Sequence, residues 1–383
     1  MFTWENFSTA EMYAAFTRRD WFYDHLFYQG VTTTGIYCRT DCPAKLPLLK
    51  NARFFFSSKE AAENGYRACK RCQPDRNSSF RSISISKPKN FDLKPLFDFY
   101  SVRAVAGIED VSLDGYYARS LPVNGKQVVI SVHRASNNEE IVVRFWGEVE
   151  TPLVTKIVAR KLDFDAPRTN IKQALGADPL LGQVVSQNSW ISLPSCFDPF
   201  EGVVRIIVGQ LISMKAARTL LARIVERFGT RLSKCVGSVS HVFPSADIFA
   251  NQKINELMSV GLTSAKAGAI RNVAKLVCDG KLDFQKLEME RPEIADRTLQ
   301  AIPGIGPWSA ALIRMEVLGD RNAFPSRDLG VMKSITGLTG KENPTSELLE
   351  KLHRSWSPWG AYATLYLWQH LDSMEKTRQE RSV

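Results

Sequence analysis

The amino-acid sequence predicts a multidomain α+β protein with three parts in order: a small cysteine-bearing α+β domain, an antiparallel-sheet α+β domain and an all-α domain. Three observations carry that prediction. Four cysteines crowd into residues 38–72, short β-rich runs with turn signals between them follow residue 91, and from about residue 195 apolar residues recur at three- and four-residue spacing. A chain of 383 residues is long enough for two or three separate cores. Its 44% hydrophobic and 23% charged content is that of a folded, soluble protein. The formal net charge of +10 favours an acidic partner, either a nucleic acid or an anionic membrane surface. No apolar run approaches the roughly 20 residues that span a bilayer, and the opening "MFTWENFSTAEMYAAF" lacks a basic leader. A cytoplasmic protein that does not enter membranes is expected.

The first part, residues 1–80, is defined by Cys38-x3-Cys42 and Cys69-x2-Cys72, with 26 residues between the pairs. Two close pairs can bring four sulfurs into the tetrahedron that Zn2+ prefers, and a reducing compartment disfavours disulfides. One zinc ion on Cys38, Cys42, Cys69 and Cys72 is therefore expected. Four thiolates leave such a site with net negative charge, so a sulfur stays nucleophilic although bound and can accept an alkyl group. The flanking Arg39, Lys45, Lys70 and Arg71 are placed to draw in a phosphate backbone. Residues 51–90 are basic, with nine Lys/Arg against three acids. The Ser- and Lys-rich "NSSFRSISISKPKN" closes this part, and residues 81–91 are expected to be a linker.

In residues 92–192, "GYYARSL" and "QVVISVH" flank Asn124-Gly125, the dipeptide of a tight hairpin turn, and "EEIVVRFW" follows the polar "RASNN". An antiparallel sheet is expected, with "LVTKIVARKLDF" as a helix after it. Residues 193–375 then read as helices. "PFEGVVRIIVGQLISMKAARTLLARIVERFG" runs to Gly229, and "TSAKAGAIRNVAKLVCDG" opens on a Thr263 or Ser264 cap and stops at Gly280. "PWSAALIRMEVLG" and "PWGAYATLYLWQHLDS" follow, and residues 376–383 form a polar tail. Cys196, Cys235 and Cys278 sit among apolar neighbours and are expected in the core.

Between two of these helices lies "IPGIGPW", residues 302–308. Gly304 and Gly306, on either side of Ile305, let the turn expose backbone N–H groups to another backbone. Pro307 suits the first position of a helix whose N-terminus favours an anion such as phosphate. Asp328 follows in "AFPSRDLGV", between a proline loop and an apolar helix, where an aspartate by itself is a helix cap.

Residues 31–75, with the blocks "TTGIYCR" and "CKRCQPD" and all four cysteines, closely resemble the N-terminal zinc domain of the Ada family of alkylation-response proteins. The resemblance implies that Cys38 takes a methyl group irreversibly from a methylphosphotriester in DNA, while Cys42, Cys69 and Cys72 complete the zinc site. Methylation would lower the negative charge there and strengthen DNA binding, as a switch. The chain departs from that family in having strands soon after the zinc domain, where Ada proteins carry a helix-turn-helix region. It also lacks the Pro-Cys-His-Arg motif of O6-alkylguanine transferases.

From residue 92 to 370 a second resemblance takes over. "RAVAGIEDVSLDGYYARSL", "PFEGVVRIIVGQLIS", "IPGIGPW", "FPSRDLGV" and "SPWGAYATLYLW" occur in the order of the AlkA-type 3-methyladenine glycosylases of the helix-hairpin-helix superfamily. This implies excision of alkylated purines with Asp328 as the catalytic carboxylate and Trp308 and Trp368 in the base pocket. It also implies Gly304, Ile305 and Gly306 on the DNA backbone, Leu211 as the wedge at the vacated base with Gln210 beside it, and a monovalent cation on the hairpin carbonyls when DNA is bound. Strand-cutting members carry a nucleophilic lysine near Trp308, and residues 302–330 contain none, so a monofunctional enzyme is implied. No cysteine follows Cys278, which excludes the iron–sulfur loop of some members. The expectation is a monomeric alkylation-repair enzyme on double-stranded DNA, associated with the nucleoid. A DNA-binding sensor or regulator switched by Cys38 methylation is the alternative.

Overall fold

The computed structural model describes residues 7–24, 26–75, 80–89, 91–112, 115–134, 139–188 and 191–381. The chain divides into two compact units, residues 1–81 with 233–240, and residues 82–232 with 241–383.

In the first unit, helix Thr9–Arg18 starts on a capping box, in which the Ser8 hydroxyl accepts from the Glu11 N–H and the Glu11 carboxylate accepts from the Ser8 N–H. A four-stranded sheet runs Ala52–Phe55, Tyr28–Val31, Ile36–Cys38, Arg67–Ala68, with only the last pairing parallel. Strand Ile36–Cys38 ends on the first cysteine and Arg67–Ala68 leads into Cys69, so the register Tyr37↔Ala68 brings the two cysteine pairs together. Met12, Phe16 and Phe27 pack in one core with the four cysteines.

The second unit begins with a five-stranded sheet ordered Arg81–Ser86, Glu140–Trp146, Lys126–Arg134, Tyr116–Val123, Glu109–Val111. Asn124 (φ 50°) and Gly125 (φ 74°) are both left-handed, the turn whose twist matches its strands, and they fix the register Val123↔Lys126. Helix Thr151–Lys161 packs Val154 and Val158 into the same core as Val128 and Phe145 of the sheet. Two further cores hold the helical part. One contains Val203, Ile207, Ile270, Ile305 and Ile313, and the other Trp356, Tyr362 and Tyr366.

The multidomain α+β class stands, but several elements differ from expectation. The expected linker is strand over Arg81–Ser86: "RSISIS" alternates with period two, and Ile83 and Ile85 pack against the sheet core. The long pattern ending at Gly229 breaks into helices Pro199–Gly209 and Met214–Phe228, because Leu211 turns left-handed (φ 57°) and the Ser213 hydroxyl accepts from the Ala216 N–H to start the second helix. A hairpin, Thr230–Val236 with Val239–Val242, interrupts the helices. It turns at Gly237 (φ 60°). Cys235 and Cys278 are exposed and Cys196 is half-buried, rather than all lying in the core; Cys235 adjoins the hairpin turn and Cys278 ends its helix. The backbone of the expected polar tail continues helix Gly360–Arg381. Among the described residues no helix is long and apolar enough to cross a membrane.

Candidate active site and metal centre

The sulfurs of Cys38, Cys42, Cys69 and Cys72 all lie within 4.8 Å of one another, and each residue is 7–8% exposed. Zinc–sulfur bonds of about 2.3 Å put tetrahedral sulfurs about 3.8 Å apart, close to the 4.0 Å between Cys42 and Cys69. Hydrogen bonding to Cys42 and Cys72, and then burial, pushes the Cys38 thiol far up, while hydrogen bonds to Cys38 and Cys72 pull Cys42 down to about 2. A divalent cation removes that conflict by replacing the shared protons. The donor set therefore fits zinc.

Around it Lys45, Lys70 and Arg71 are exposed. Arg39 is placed differently from these three. Its guanidinium is 3.3 Å from Asp24 and 3.2 Å from Asp41 and only 13% exposed, so two neighbouring carboxylates hold it inward.

In the second unit the hairpin joins helix Pro292–Gln300 to helix Pro307–Leu312. Gly304 is left-handed (φ 95°), and a Cβ there would lie 2.4 Å from Ala269 Cβ, so both backbone and packing require glycine. A Cβ on Gly306 would meet nothing within 4 Å, so that side of the turn is open to a ligand. The Ile305 side chain is buried and its N–H donates to Ile302 O, so it anchors the turn in the core rather than offering its amide outward. Beyond it, the first-turn amides after Pro307 have no partner in their own helix.

Gln210 and Leu211 follow helix Pro199–Gly209. Gln210 Nε2 donates to Gly304 O and to Ser309 Oγ, both at 2.9 Å, which ties this loop to the hairpin. Leu211 is 104% exposed. A leucine held left-handed and fully in solvent costs about 1–2 kcal/mol of backbone energy, so folding stability does not account for it.

Asp328 caps helix Leu329–Thr339: Oδ1 accepts from the Gly330 and Val331 N–H groups at 2.9 and 3.1 Å. Two indoles hold the same carboxylate. Trp368 Nε1 donates to Oδ1 at 2.8 Å and Trp308 Nε1 to Oδ2 at 3.1 Å. Oδ1 thus has three donors and Oδ2 one, leaving Oδ2 the oxygen with spare lone-pair capacity. The expected carboxylate and both expected tryptophans meet at one point, and all three are half-buried.

Two neighbours escaped the sequence reading. Arg103 lies 3.7 Å from the Phe99 ring centroid and 5.6 Å from that of Trp368. Glu316 sits on a π-helical turn, Ile313–Val317. Burial pushes its carboxyl up, against the pull of Arg103 and Arg205, and the Asp328 charge adds to the rise. Ionising such an acid costs stability. The penalty is absent below the unfolded carboxyl's pKa of about 4.3 and grows as pH rises toward the folded value. Glu316→Gln is therefore expected to be more stable than wild type near pH 7 and to lose that advantage near pH 4, as read by urea unfolding at both. A glutamine variant no more stable than wild type at neutral pH contradicts this.

The family model for the metal binding domain of Ada matches residues 11–75, that for the AlkA N-terminal domain residues 82–198, and that for the HhH-GPD superfamily base excision DNA repair protein residues 204–358. A "probable bifunctional transcriptional activator/DNA repair enzyme AlkA" of Mycobacterium tuberculosis (strain H37Rv) is 25% identical over 487 aligned positions, covering 94% of this chain and 96% of that protein. DNA-3-methyladenine glycosylase 2 of Escherichia coli (strain K12) is 28% identical over 281 residues, 73% of this chain and 93% of the relative. The solved 3-methyladenine DNA-glycosylase from Archaeoglobus fulgidus shares the fold, with a TM-score of 0.66 and 23% identity over 76% of this chain and 98% of that one. Along the chain, then, a metal binding domain of the Ada type that holds the four-cysteine cluster is followed by an AlkA N-terminal domain and a helix-hairpin-helix base excision repair domain, an Ada/AlkA fusion.

Proposed function

We propose that the chain repairs alkylated DNA twice over: the second unit hydrolyses the N-glycosidic bond of alkylated purines such as 3-methyladenine without cutting the strand, and the first accepts methyl groups from methylphosphotriesters on Cys38. The observation that supports the first activity best is the Asp328 carboxylate fixed by two backbone amides and two indoles. An N3- or N7-alkylated purine is already cationic, so its C1′–N bond can break with the electron pair passing to the base and without a separate acid. Positive charge then grows on the deoxyribose, and a carboxylate whose orientation is set beforehand stabilises it without reorganising. Water adds at C1′ and its proton leaves to solvent. Such a base must first leave the duplex, and Leu211, exposed and left-handed, suits the wedge that fills its place. Trp308 and Trp368 present indoles to an electron-deficient base beside the carboxylate.

In the first unit zinc would keep the four sulfurs deprotonated at neutral pH. The Cys38 sulfur takes the methyl carbon, the carbon–oxygen bond breaks, and its electron pair stays on the phosphate, restoring a diester. Exposed Lys45, Lys70 and Arg71 supply phosphate contacts. A monovalent cation on the hairpin carbonyls in the DNA-bound state belongs to the same reading, with Gly304 O already shared with Gln210.

The test incubates duplex DNA methylated on bases and phosphates with the full-length wild type, Asp328→Asn and Cys38→Ala. Cys38→Ala is expected to abolish methyl transfer to protein while base release continues, and Asp328→Asn to do the reverse. Continued labelling of Cys38→Ala would move the acceptor elsewhere. Borohydride trapping of a protein–DNA adduct would overturn the monofunctional reading. DNA binding with neither activity would favour the regulator.

A further inference from the structure

The first turn of helix Ser264–Cys278 holds a lysine where the helix dipole favours an acid: Lys266 is its third residue, and the Thr263 hydroxyl caps its N–H. The cation is repaid elsewhere. Lys266 Nζ donates to Val208 O and to Gln210 O, each at 2.8 Å, satisfying carbonyls at the negative end of helix Pro199–Gly209. Burial pulls the ammonium below the usual lysine range, and its hydrogen-bond partners are carbonyls rather than carboxylates.

The second of these bonds matters most for geometry. The carbonyl of Gln210 and the N–H of Leu211 share one rigid peptide plane, so fixing that oxygen fixes the plane from which the Leu211 Cα departs and leaves φ as the one backbone rotation that still turns its side chain. On the other side, the Gln210 side chain is tied to Gly304 O and Ser309 Oγ. Leu211 itself is 104% exposed and left-handed at φ 57°, so its own side chain has no packing to orient it.

We propose that Lys266 is the positioning residue of the wedge: its ammonium clamps the Gln210 carbonyl, locks the left-handed Leu211 peptide and so aims the leucine before DNA arrives. The inference rests on the reading of Leu211 as the wedge. A preset wedge matters only where a base must be forced from a stack, and it is dispensable where the lesion is already unstacked.

The experiment compares full-length wild type, Leu211→Ala, Lys266→Met and the double variant in single-turnover excision at saturating protein. One substrate is a duplex oligonucleotide with a single N7-methylguanine, and the other is the same lesion in single-stranded form. Lys266→Met is expected to slow duplex excision about tenfold and to leave the single strand within about twofold. In the Leu211→Ala background the same change should add less than about twofold, since neighbours acting through one another are not additive. Lys266→Gln, which keeps an uncharged NH2 donor on a shorter side chain, should fall between, and its thermal melt guards against simple unfolding. If Leu211→Ala excises from duplex at the wild-type rate, the wedge reading fails and the proposal with it. If Leu211→Ala is slow but Lys266→Met is normal, slows both substrates equally, or multiplies the loss, the proposal alone fails.

Discussion

Single-turnover release of 3-methyladenine by Asp328→Asn is expected to fall about 10²–10³-fold, with duplex binding changed by less than about twofold. The substitution separates two roles that coincide in this residue. Asn is as good a helix cap as Asp, and its carbonyl oxygen can replace Oδ1 as acceptor for the Gly330 and Val331 amides and Trp368 Nε1. The helix Leu329–Thr339 should therefore keep its start, and stability should change by no more than about 1 kcal/mol. The negative charge is lost, and an amide nitrogen placed at the Oδ2 position would face the Trp308 N–H donor to donor. Only a role in stabilising developing positive charge makes that loss large. A rate within about threefold of wild type, with an unchanged melting curve, would reduce Asp328 to a cap.

The expected site residues differ in how far the structure brings them together, and the difference has a physical origin. Asp328, Trp308 and Trp368 were singled out because they lie in sequence blocks that resemble a known family, and in the structure both indoles converge on the one carboxylate. The four cysteines were legible from spacing alone, which strand register then converts to proximity. The pairing of Arg39 was not legible, because a basic residue beside a metal site can serve a phosphate or a neighbouring carboxylate, and its partner Asp24 lies fifteen residues earlier. Lys266, Ser309, Arg103 and Glu316 were invisible because their partners lie far away in sequence. For Lys266 one signal was present: a lysine in a first helical turn opposes the dipole and asks for an external acceptor. The strand Arg81–Ser86 shows the converse failure, where Ser- and Lys-rich composition hid a period-two alternation.

Glu201→Ala is expected to destabilise the second unit by about 3 kcal/mol, since it leaves the buried Arg119 and the half-buried Arg205 with Glu109 as their one remaining shared carboxylate. Glu201 sits near the start of helix Pro199–Gly209, where Arg119 Nη2 is 2.6 Å from Oε2 and Arg205 Nε 2.7 Å from Oε1. Arg205 also reaches Glu109 at 2.5 Å, and Tyr117 donates its hydroxyl to Glu109 at 2.6 Å. Arg119 and Glu201 are 4% and 2% exposed, so solvent cannot replace a lost charge. Burial by itself would lower both arginines, but the two carboxylates more than offset it and hold both above the ordinary range. The network therefore bolts strands Glu109–Val111 and Tyr116–Val123 to the helix whose far end carries Gln210 and Leu211. Urea unfolding of Glu201→Ala should show a lower midpoint with an unchanged slope. The double variant Glu201→Leu/Arg119→Met should lose less than the sum of the single changes, because it removes opposite charges together. Additive losses would mean that the bonds at Glu201 act independently and that charge pairing across this interface is not what holds the helix in place.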